Sequence, residues 1–277
     1  MDNLFGTRLK ELRKARGLSQ KEFAEKLSMS FQSVSKWENG MGVPSITLIP
    51  TIASILKVSC DHLIGHDNKE IQSKYFDLYK SEEYFWSTTP NSISYKILQM
   101  FPPKEYNTVL ELGCGEGRDA VFFGTNHYNV TAIDKVSTGI DKAIHLAELN
   151  QIRANFLCAD IRSFTSKTTY DMIYGFRVLH YLHPNERQLQ INRYKEITRI
   201  GGIHIFTVCV EKEFIPLPPD HEAETVLYKS GELFEYYSDW ELLYINEEIV
   251  DCNSSGIPHK HVIDTVIAQK KPKNKEH

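Results

Sequence analysis

Between residues 108 and 118 the chain reads TVLELGCGEGR, an apolar run followed by Gly113, Gly115 and Gly117 and then by the helix-patterned DAVFFGTN. Glycines at a strand-to-helix turn let backbone N–H groups come close to a ligand and leave the helix start facing it. The spacing is GxGxG, whereas a dinucleotide pyrophosphate suits GxGxxG. Carboxylates recur around this turn. Glu111 precedes the first glycine by two places, Asp134 ends the next apolar run, and Asp160 ends the third in Cys158-Ala159-Asp160-Ile161. A carboxylate at Asp134 can accept both hydroxyls of a ribose, and one at Asp160 can accept from an adenine amino group.

With E-L-G-C-G-E-G-R, A-I-D and C-A-D-I in this order, residues from about 84 to 270 resemble the class I S-adenosylmethionine (SAM) methyltransferases. The resemblance implies that Gly113 and Gly115 pass beside the methionine part of the cofactor. It implies too that Asp134 holds the ribose, and that Asp160 with the Ile161 backbone N–H reads the adenine. Glu111, Gly117, Arg118, Lys135, Phe176 and Trp86 join them as expected cofactor residues. G-C-G-E-G-R-D-A, the aromatic approach E-E-Y-F-W-S-T-T-P-N and the late L-F-E-Y-Y-S-D-W-E-L are similar to tellurite-resistance and related thiol or chalcogen methyltransferases. Asp119 stands where Asn is common in that family.

Methyl transfer from a sulfonium is an in-line displacement that needs alignment, exclusion of water and, for a protonated acceptor, a base. Three groups offer these. The fourth strand ends in Tyr174-Gly175-Phe176-Arg177, with His180 and Tyr181 just beyond, and ligands of open α/β sheets bind outside such strand ends. Arg177 can hold an oxyanion by bidentate bonds; pairing with a surface carboxylate is the competing reading. His259 and His261, in Pro258-His259-Lys260-His261, share a face if the segment is extended, so both imidazoles can serve as base or donor. Ordinary turn histidines are the bland alternative. The same stretch offers no third ligand, so no metal is expected. Tyr84-Phe85-Trp86 can lid the cofactor and surround its cationic sulfur, or simply pack a helix on the sheet. Cys114 reads as a small buried filler. No D/N-P-P-Y/F motif follows strand four, which counts against a nucleic-acid amino group as acceptor.

The first 65 residues carry a different chemistry. Helix-spaced apolar residues define one helix up to Gly17, a second opened by Ser19 with Glu22 as its capping-box partner, and a third from Ser30 to Asn39-Gly40. A fourth is expected over Ser45–Lys57 and a short fifth ending at Leu63-Ile64-Gly65. Helices two and three, SQKEFAEKL-SM-SFQSVSKWENG, can place the third in a DNA major groove while the second crosses the backbone. Gln32, Ser33 and Lys36 lie on the outward face of the third for base edges or phosphates, Gln20 is placed for a phosphate, and Ser30 joins them at the helix start. Phe31 and Trp37 are read as core. Arg13 to Gln20, F-A-E-K-L and V-S-K-W-E-N-G resemble the Cro-repressor or xenobiotic-response-element (XRE) helix-turn-helix family, which implies DNA binding and a homodimer.

The elements needed to position these residues are legible. TVLELGC, NVTAIDKV, ANFLCADI, YDMIYGF and GGIHIFTVCV alternate with helical segments, which predicts a mostly parallel, Rossmann-like α/β sheet. Two late strands near 243–250 and 261–269, with no strong helix between them, predict an antiparallel edge hairpin and seven strands in all. The expected domains are a helix-turn-helix domain over 1–65, a polar linker over 66–75 and a methyltransferase domain over 76–277 with a frayed basic tail. Of the 277 residues, 41% are hydrophobic and 25% charged, which excludes wholesale disorder. Residues 1–70 hold ten Lys/Arg against eight Asp/Glu, and the remainder 22 against 28, so a polyanion suits only the first part. Residues 8–36 carry eight basic groups to three acidic.

No apolar run approaches the roughly 18–20 residues of a membrane span. The N-terminus lacks a secretory core, and five scattered cysteines without a CxxC pair suggest neither disulfides nor zinc. A cytoplasmic protein without a membrane partner is expected. The reading is a DNA-binding transcriptional regulator fused to a SAM-dependent methyltransferase for a small soft nucleophile, a thiol or a reduced tellurium or selenium oxyanion. Two readings compete: a non-catalytic repressor sensing SAM or S-adenosylhomocysteine, and a nucleic-acid methyltransferase delivered by its first domain.

Overall fold

Ser19 Oγ accepts from the Glu22 N–H at 3.2 Å while Glu22 Oε2 accepts from the Ser19 N–H at 2.7 Å. This reciprocal cap starts α2 (Gln20–Lys26) after α1 (Leu4–Ala15), which Gly17 ends with φ +67. Ser30 likewise caps α3 (Phe31–Glu38). The computed structural model describes residues 4–56, 58, 60–64, 74–222, 224–253 and 256–272. The chain divides into two units, Met1–Leu78 and Tyr79–His277. Apart from Lys74 and Tyr75, the expected linker lies outside the described residues, as do the last five of the tail.

The expected fourth helix of the first unit is split into a 3-10 turn, Ile46–Leu48, and α4 (Ile49–Leu56). Pro50 lies in the first turn of α4, where its missing N–H costs nothing. α5 (Cys60–Ile64) and α6 (Tyr75–Leu78) follow. Leu9, Phe23, Val34, Ile52, Leu56 and Leu63 are fully buried and pack with Trp37 as the core. Phe31, expected beside Trp37, is 51% exposed instead. It is the first residue of α3, where the chain has just turned from α2, and its ring stays at the surface. The core also holds an ion pair. Arg13 Nε and Nη2 donate to Glu38 Oε1 and Oε2 at 2.5 and 2.9 Å, and Nη1 donates to the Leu18 carbonyl at 2.6 Å, fastening α1 to α3.

The second unit opens with α7 (Ser92–Met100) and then alternates β1 (Thr108–Leu112), α8 (Arg118–Thr125), β2 (Asn129–Asp134), α9 (Ser137–Leu149), β3 (Asn155–Cys158) and β4 (Tyr170–Phe176). α10 (Pro184–Glu196), β5 (Thr198–Val210), the short α11 (Glu232–Glu235), β6 (Glu241–Cys252) and β7 (His259–Gln269) complete it. The seven strands lie in the order β3-β2-β1-β4-β5-β7-β6. The first five are parallel, and β7 runs antiparallel to both β5 and β6. The fold is thus a helix-turn-helix unit plus a Rossmann-like, mostly parallel α/β sheet closed by an antiparallel hairpin. Leu110 and Leu112 of β1 enter the core on one face and Val109 the core on the other, as period-2 burial of a central strand requires.

The topology has one consequence for chemistry. Because β7 is reversed, its first residues reach the edge where the parallel strands end. His259 pairs with Cys252 at the end of β6, and Val262 with Val210 at the end of β5. Residues distant in sequence thus meet the glycine turn's edge of the sheet.

Candidate functional site

Gly113, Gly115 and Gly117 all have positive φ, +68, +53 and +88. A Cβ at Gly113 would lie 2.3 Å from Val178 Cγ2, and one at Gly117 would lie 2.6 Å from Ala143 Cβ. Glycine is therefore required for both conformation and packing. Above Gly115 sit Tyr79, whose hydroxyl would be 3.1 Å from an added Cβ, and Trp86 at 3.5 Å. Trp86 Nε1 donates to that hydroxyl at 2.8 Å.

The aromatic stretch is fastened over the turn by groups of the turn itself and its helices. Glu116 Oε2 accepts from the Trp86 N–H at 3.0 Å, and Glu116 Oε1 pairs with Lys142 at 2.6 Å. Lys142 also donates to the Ser81 and Glu83 carbonyls and lies 4.6 Å from the Tyr84 ring centre. Arg118 donates to the Trp86 carbonyl at 2.7 Å and to Asn91 Oδ1 at 2.8 Å, with its guanidinium 5.9 Å from the Phe176 ring centre. Asp119 is buried and accepts from Asn91 N–H and Nδ2, Ser94 Oγ and Tyr174 Oη. Asp119 thus anchors the start of α7 to α8.

Glu111, 3% exposed, has an Oε2 with no hydrogen-bond partner among the described residues. Burial, with Asp119 adding to it, holds its carboxyl well above the usual range. Asp134 accepts from the Gly115 N–H with Oδ2 and from the Val136 N–H with Oδ1, both at 2.8 Å. Burial still raises its carboxyl against those bonds. Each carboxylate oxygen has a second lone pair, so both remain able to accept a hydroxyl. Lys135 pairs with Glu224 at 3.3 Å and lies 5.1 Å from the Tyr181 ring centre. Asp160 is engaged with Arg162, whose Nε donates to both its oxygens at 3.0 Å. Burial works against its charge, but those bonds hold its carboxyl below the usual range. Ile161 is buried beside it, its carbonyl accepting from Tyr194 at 2.6 Å. Cys114 is buried, and burial pushes its thiol up.

Beyond β4, Arg177 adopts φ +52, with its N–H held by the Thr207 carbonyl and hydroxyl at 3.0 and 2.9 Å. Its Nε points to Cys209 Sγ at 3.4 Å. His180 Nδ1 is buried without a partner among the described residues. Burial, then the charges of Arg177 and Arg187, push its imidazole down to about 3, so it is neutral near pH 7. Arg187 stacks 3.7 Å from the Tyr228 ring centre, binds Glu232 at 2.7 Å and donates to the Val226 carbonyl, which fixes the segment beside His180. Tyr181 Oη donates to Glu222 at 2.7 Å.

His259 and His261 do share a face, with Nε2 atoms 2.9 Å apart. Asp220 reaches both, at 3.3 and 3.4 Å, and Cys252 joins them, so that one ligand atom from each of the four residues lies within 4.8 Å of the others. Burial and the Arg177 charge push His261 down to about 4. The Pro258–His261 stretch itself offers no third ligand, as the sequence indicated; the fold brings two further candidate donors, Asp220 and Cys252, from other segments. Asp220, Cys209 and Cys252 were missed because their partners lie on other segments. The readable signal was Cys252 seven residues before His259-x-His261, across a turn.

In the first unit, Gln32 and Lys36 are exposed on α3 and Ser33 is half-buried. Ser30 Oγ is taken by the cap, accepting from the Ser33 N–H. Gln20 donates its amide to Glu38 Oε2 at 2.8 Å, tying it to the buried pair. Among the described residues no helix is long and apolar enough to cross a membrane.

Residues 77–257 match the family described as tellurite resistance protein TehB, and residues 9–63 match a helix-turn-helix family. The chain is 28% identical over 166 residues to the probable S-adenosyl-L-methionine-dependent methyltransferase TehB of Haemophilus influenzae. That stretch covers 59% of this chain and 57% of the relative, so the chain spans little more than half the length of that protein. The crystal structure of TehB from Haemophilus influenzae superposes with a TM-score of 0.60 at 26% identity, over 67% of this chain and 64% of that one. A SAM-dependent methyltransferase from Methanosarcina mazei shares the fold, with a TM-score of 0.52 at 20% identity over 67% of this chain and all of the other.

Proposed function

The chain belongs to the TehB tellurite-resistance family, and on that premise we propose that its second unit is a SAM-dependent methyltransferase for a small soft nucleophile, a thiol or a reduced tellurium or selenium oxyanion. We read the first unit, which matches a helix-turn-helix family, as a DNA-binding regulatory domain. The observation that carries the reading is one sheet edge holding both a glycine turn closed by aromatic rings and the Arg177–His180–Cys209 group.

Bound SAM supplies a methyl group on a cationic sulfur, ready for in-line displacement. The residues of the turn fit it: three glycines at positive φ whose positions have no room for a side chain, and a buried Glu111 carboxyl oxygen without a partner among the described residues. Asp134 holds the ribose hydroxyls with its remaining lone pairs, while Gly113, Gly115 and Gly117 bring the backbone against the ligand. Asp160 and the Ile161 N–H read the adenine, with Lys135 at the rim. Trp86, whose carbonyl Arg118 holds, and Phe176, whose ring lies 5.9 Å from the Arg118 guanidinium, would exclude water and offer aromatic rings to a cationic sulfur. Arg177 holds the acceptor's negative charge. His180, kept neutral by burial, directs the acceptor by a hydrogen bond, and His259 or His261 takes its proton. On the first unit, Gln32 and Ser33 meet base edges, Lys36 meets a phosphate, and Gln20 and Ser30 lie against the phosphates.

Calorimetric titration with SAM and S-adenosylhomocysteine tests the cofactor. Micromolar binding by the wild type, lost in Asp134→Ala, is expected; a folded wild type that binds neither overturns the reading. Turnover is then screened with thiols, selenite and tellurite, following S-adenosylhomocysteine release. Binding without turnover on any acceptor would leave a SAM sensor in place of an enzyme.

A further inference from the structure

Asp220, Cys252, His259 and His261 form a cluster that the methyl-transfer reading uses only in part. Their side chains come from three places, the 211–228 segment, the end of β6 and the start of β7, and converge at the carboxyl edge of the sheet. The two histidine side chains are 8% and 5% exposed and that of Asp220 20%. The separations suit a small cation: nitrogen and oxygen donors about 2.0–2.1 Å from a tetrahedral metal stand roughly 3.3 Å apart. Here His259 Nε2 lies 3.3 Å from Asp220 Oδ1 and His261 Nε2 3.4 Å from Asp220 Oδ2, while the two nitrogens, at a hydrogen-bonding 2.9 Å, need to part by a few tenths of an ångström to share an ion.

The tautomer of His259 is fixed in the same sense. Its Nδ1 lies 2.7 Å from the Ile257 carbonyl, which can only accept, so Nδ1 carries a proton and, in the neutral ring, Nε2 presents its lone pair to the cluster. Metal-binding histidines are oriented in this way by an outer carbonyl or carboxylate. Two imidazoles, one carboxylate and one sulfur are a donor set for a borderline divalent cation; magnesium and calcium take oxygen ligands instead.

We propose that Asp220, Cys252, His259 and His261 bind one divalent cation of the zinc class. The Cys252 thiol loses its proton to solvent on coordination, and thiolate and carboxylate together neutralise the 2+ charge. The ion ties the 211–228 segment to the β6–β7 hairpin, beside Arg177 and His180. This goes beyond the methyltransferase reading and does not depend on its cofactor site; with the ion bound, His259 and His261 are ligands and no longer the base of that reading, and the acceptor's proton leaves to solvent.

The test uses the full chain, free of any affinity tag and stripped with a chelator, titrated with Co²⁺ and then Zn²⁺. One equivalent of cobalt is expected, with tetrahedral d–d bands and a thiolate-to-cobalt charge-transfer band that zinc abolishes. Cys252→Ser should lose the charge-transfer band, and Asp220→Asn and His261→Ala should weaken binding at least about tenfold, each variant first verified as folded by circular dichroism. Added zinc should raise the thermal midpoint of the wild type and leave that of His261→Ala unmoved. Asp134→Ala, which loses SAM in the proposed function, should bind cobalt like the wild type, which separates the two readings. A folded wild type that takes up no metal, or a Cys252→Ser spectrum identical to wild type, overturns the proposal.

Discussion

Glu111 is a carboxyl placed where its charge has little support. It is 3% exposed, lies near Asp119 and Asp134, and has an oxygen without a partner among the described residues. Burial therefore keeps it protonated to a higher pH than in the unfolded chain, where its value is about 4.3. Between that value and the raised folded one the native state binds more protons, so stability falls as pH rises. Glu111→Gln removes this contribution: the decline of the urea midpoint from pH 5 to pH 8 should be shallower than in the wild type, and an unchanged decline would refute the assignment. Asp119 shows the opposite case, a buried carboxylate with four donated hydrogen bonds. Asp119→Ala leaves the Asn91 N–H, Ser94 Oγ and Tyr174 Oη without their acceptor, at about 1–3 kcal/mol for each group left unpaired. Chemical denaturation should register that loss, together with faster hydrogen exchange at the start of α7. Glu111 was visible in the sequence by its position before the glycines, but its protonation was not, because burial depends on strands from elsewhere. The anchoring role of Asp119 was equally hidden, since Asn91, Ser94 and Tyr174 are 25 to 55 residues away.

Elements were more legible where local chemistry defines them. Ser19-x-x-Glu22 and Ser30 cap the helices they were expected to cap, and the five apolar runs of the parallel sheet are its five parallel strands. The fourth helix starts afresh at Ile49 because the Pro50 ring disfavours a helical carbonyl four residues earlier, at Ile46, which a continuous apolar period does not reveal. What joins elements was not legible. The Arg13–Glu38 pair links α1 to α3 across 25 residues, with Glu38 4% exposed. Burial opposes the Glu38 charge, but the bonds from Arg13 and Gln20 prevail and hold its carboxyl below the usual range. The stabilisation is therefore present above the unfolded value and lost as pH falls through the lowered one. Glu38→Gln leaves the Arg13 guanidinium buried without its counter-charge, at a cost of about 3–5 kcal/mol. Amides of α1 and α3 should lose hydrogen-exchange protection in that variant while those of β1 and β4 keep theirs. Equal protection in all four would mean that the pair contributes nothing.

For the whole molecule, the decisive feature is how one sequence assembles two sites with different charge. Composition already separated them, with an excess of basic groups within residues 8–36 and an excess of acidic groups beyond residue 70. The glycine turn and its carboxylates could be placed because a parallel sheet puts successive strand ends at one edge. The four-residue cluster could not, because its assembly requires β7 to run backwards between β5 and β6. If only the first unit meets DNA, a change there must alter the electrostatics of DNA binding and leave the cofactor site alone. Lys36 is exposed on α3, one turn beyond Gln32 and Ser33. Losing one phosphate contact lowers the slope of log affinity against log salt by about 0.9. Lys36→Ala should show that reduction in a salt series of DNA titrations, with the calorimetric affinity for SAM unchanged. An unchanged slope places the DNA contact elsewhere. A changed SAM affinity would instead establish coupling between the units, and thermodynamic linkage would then require bound SAM to alter DNA affinity by the same factor.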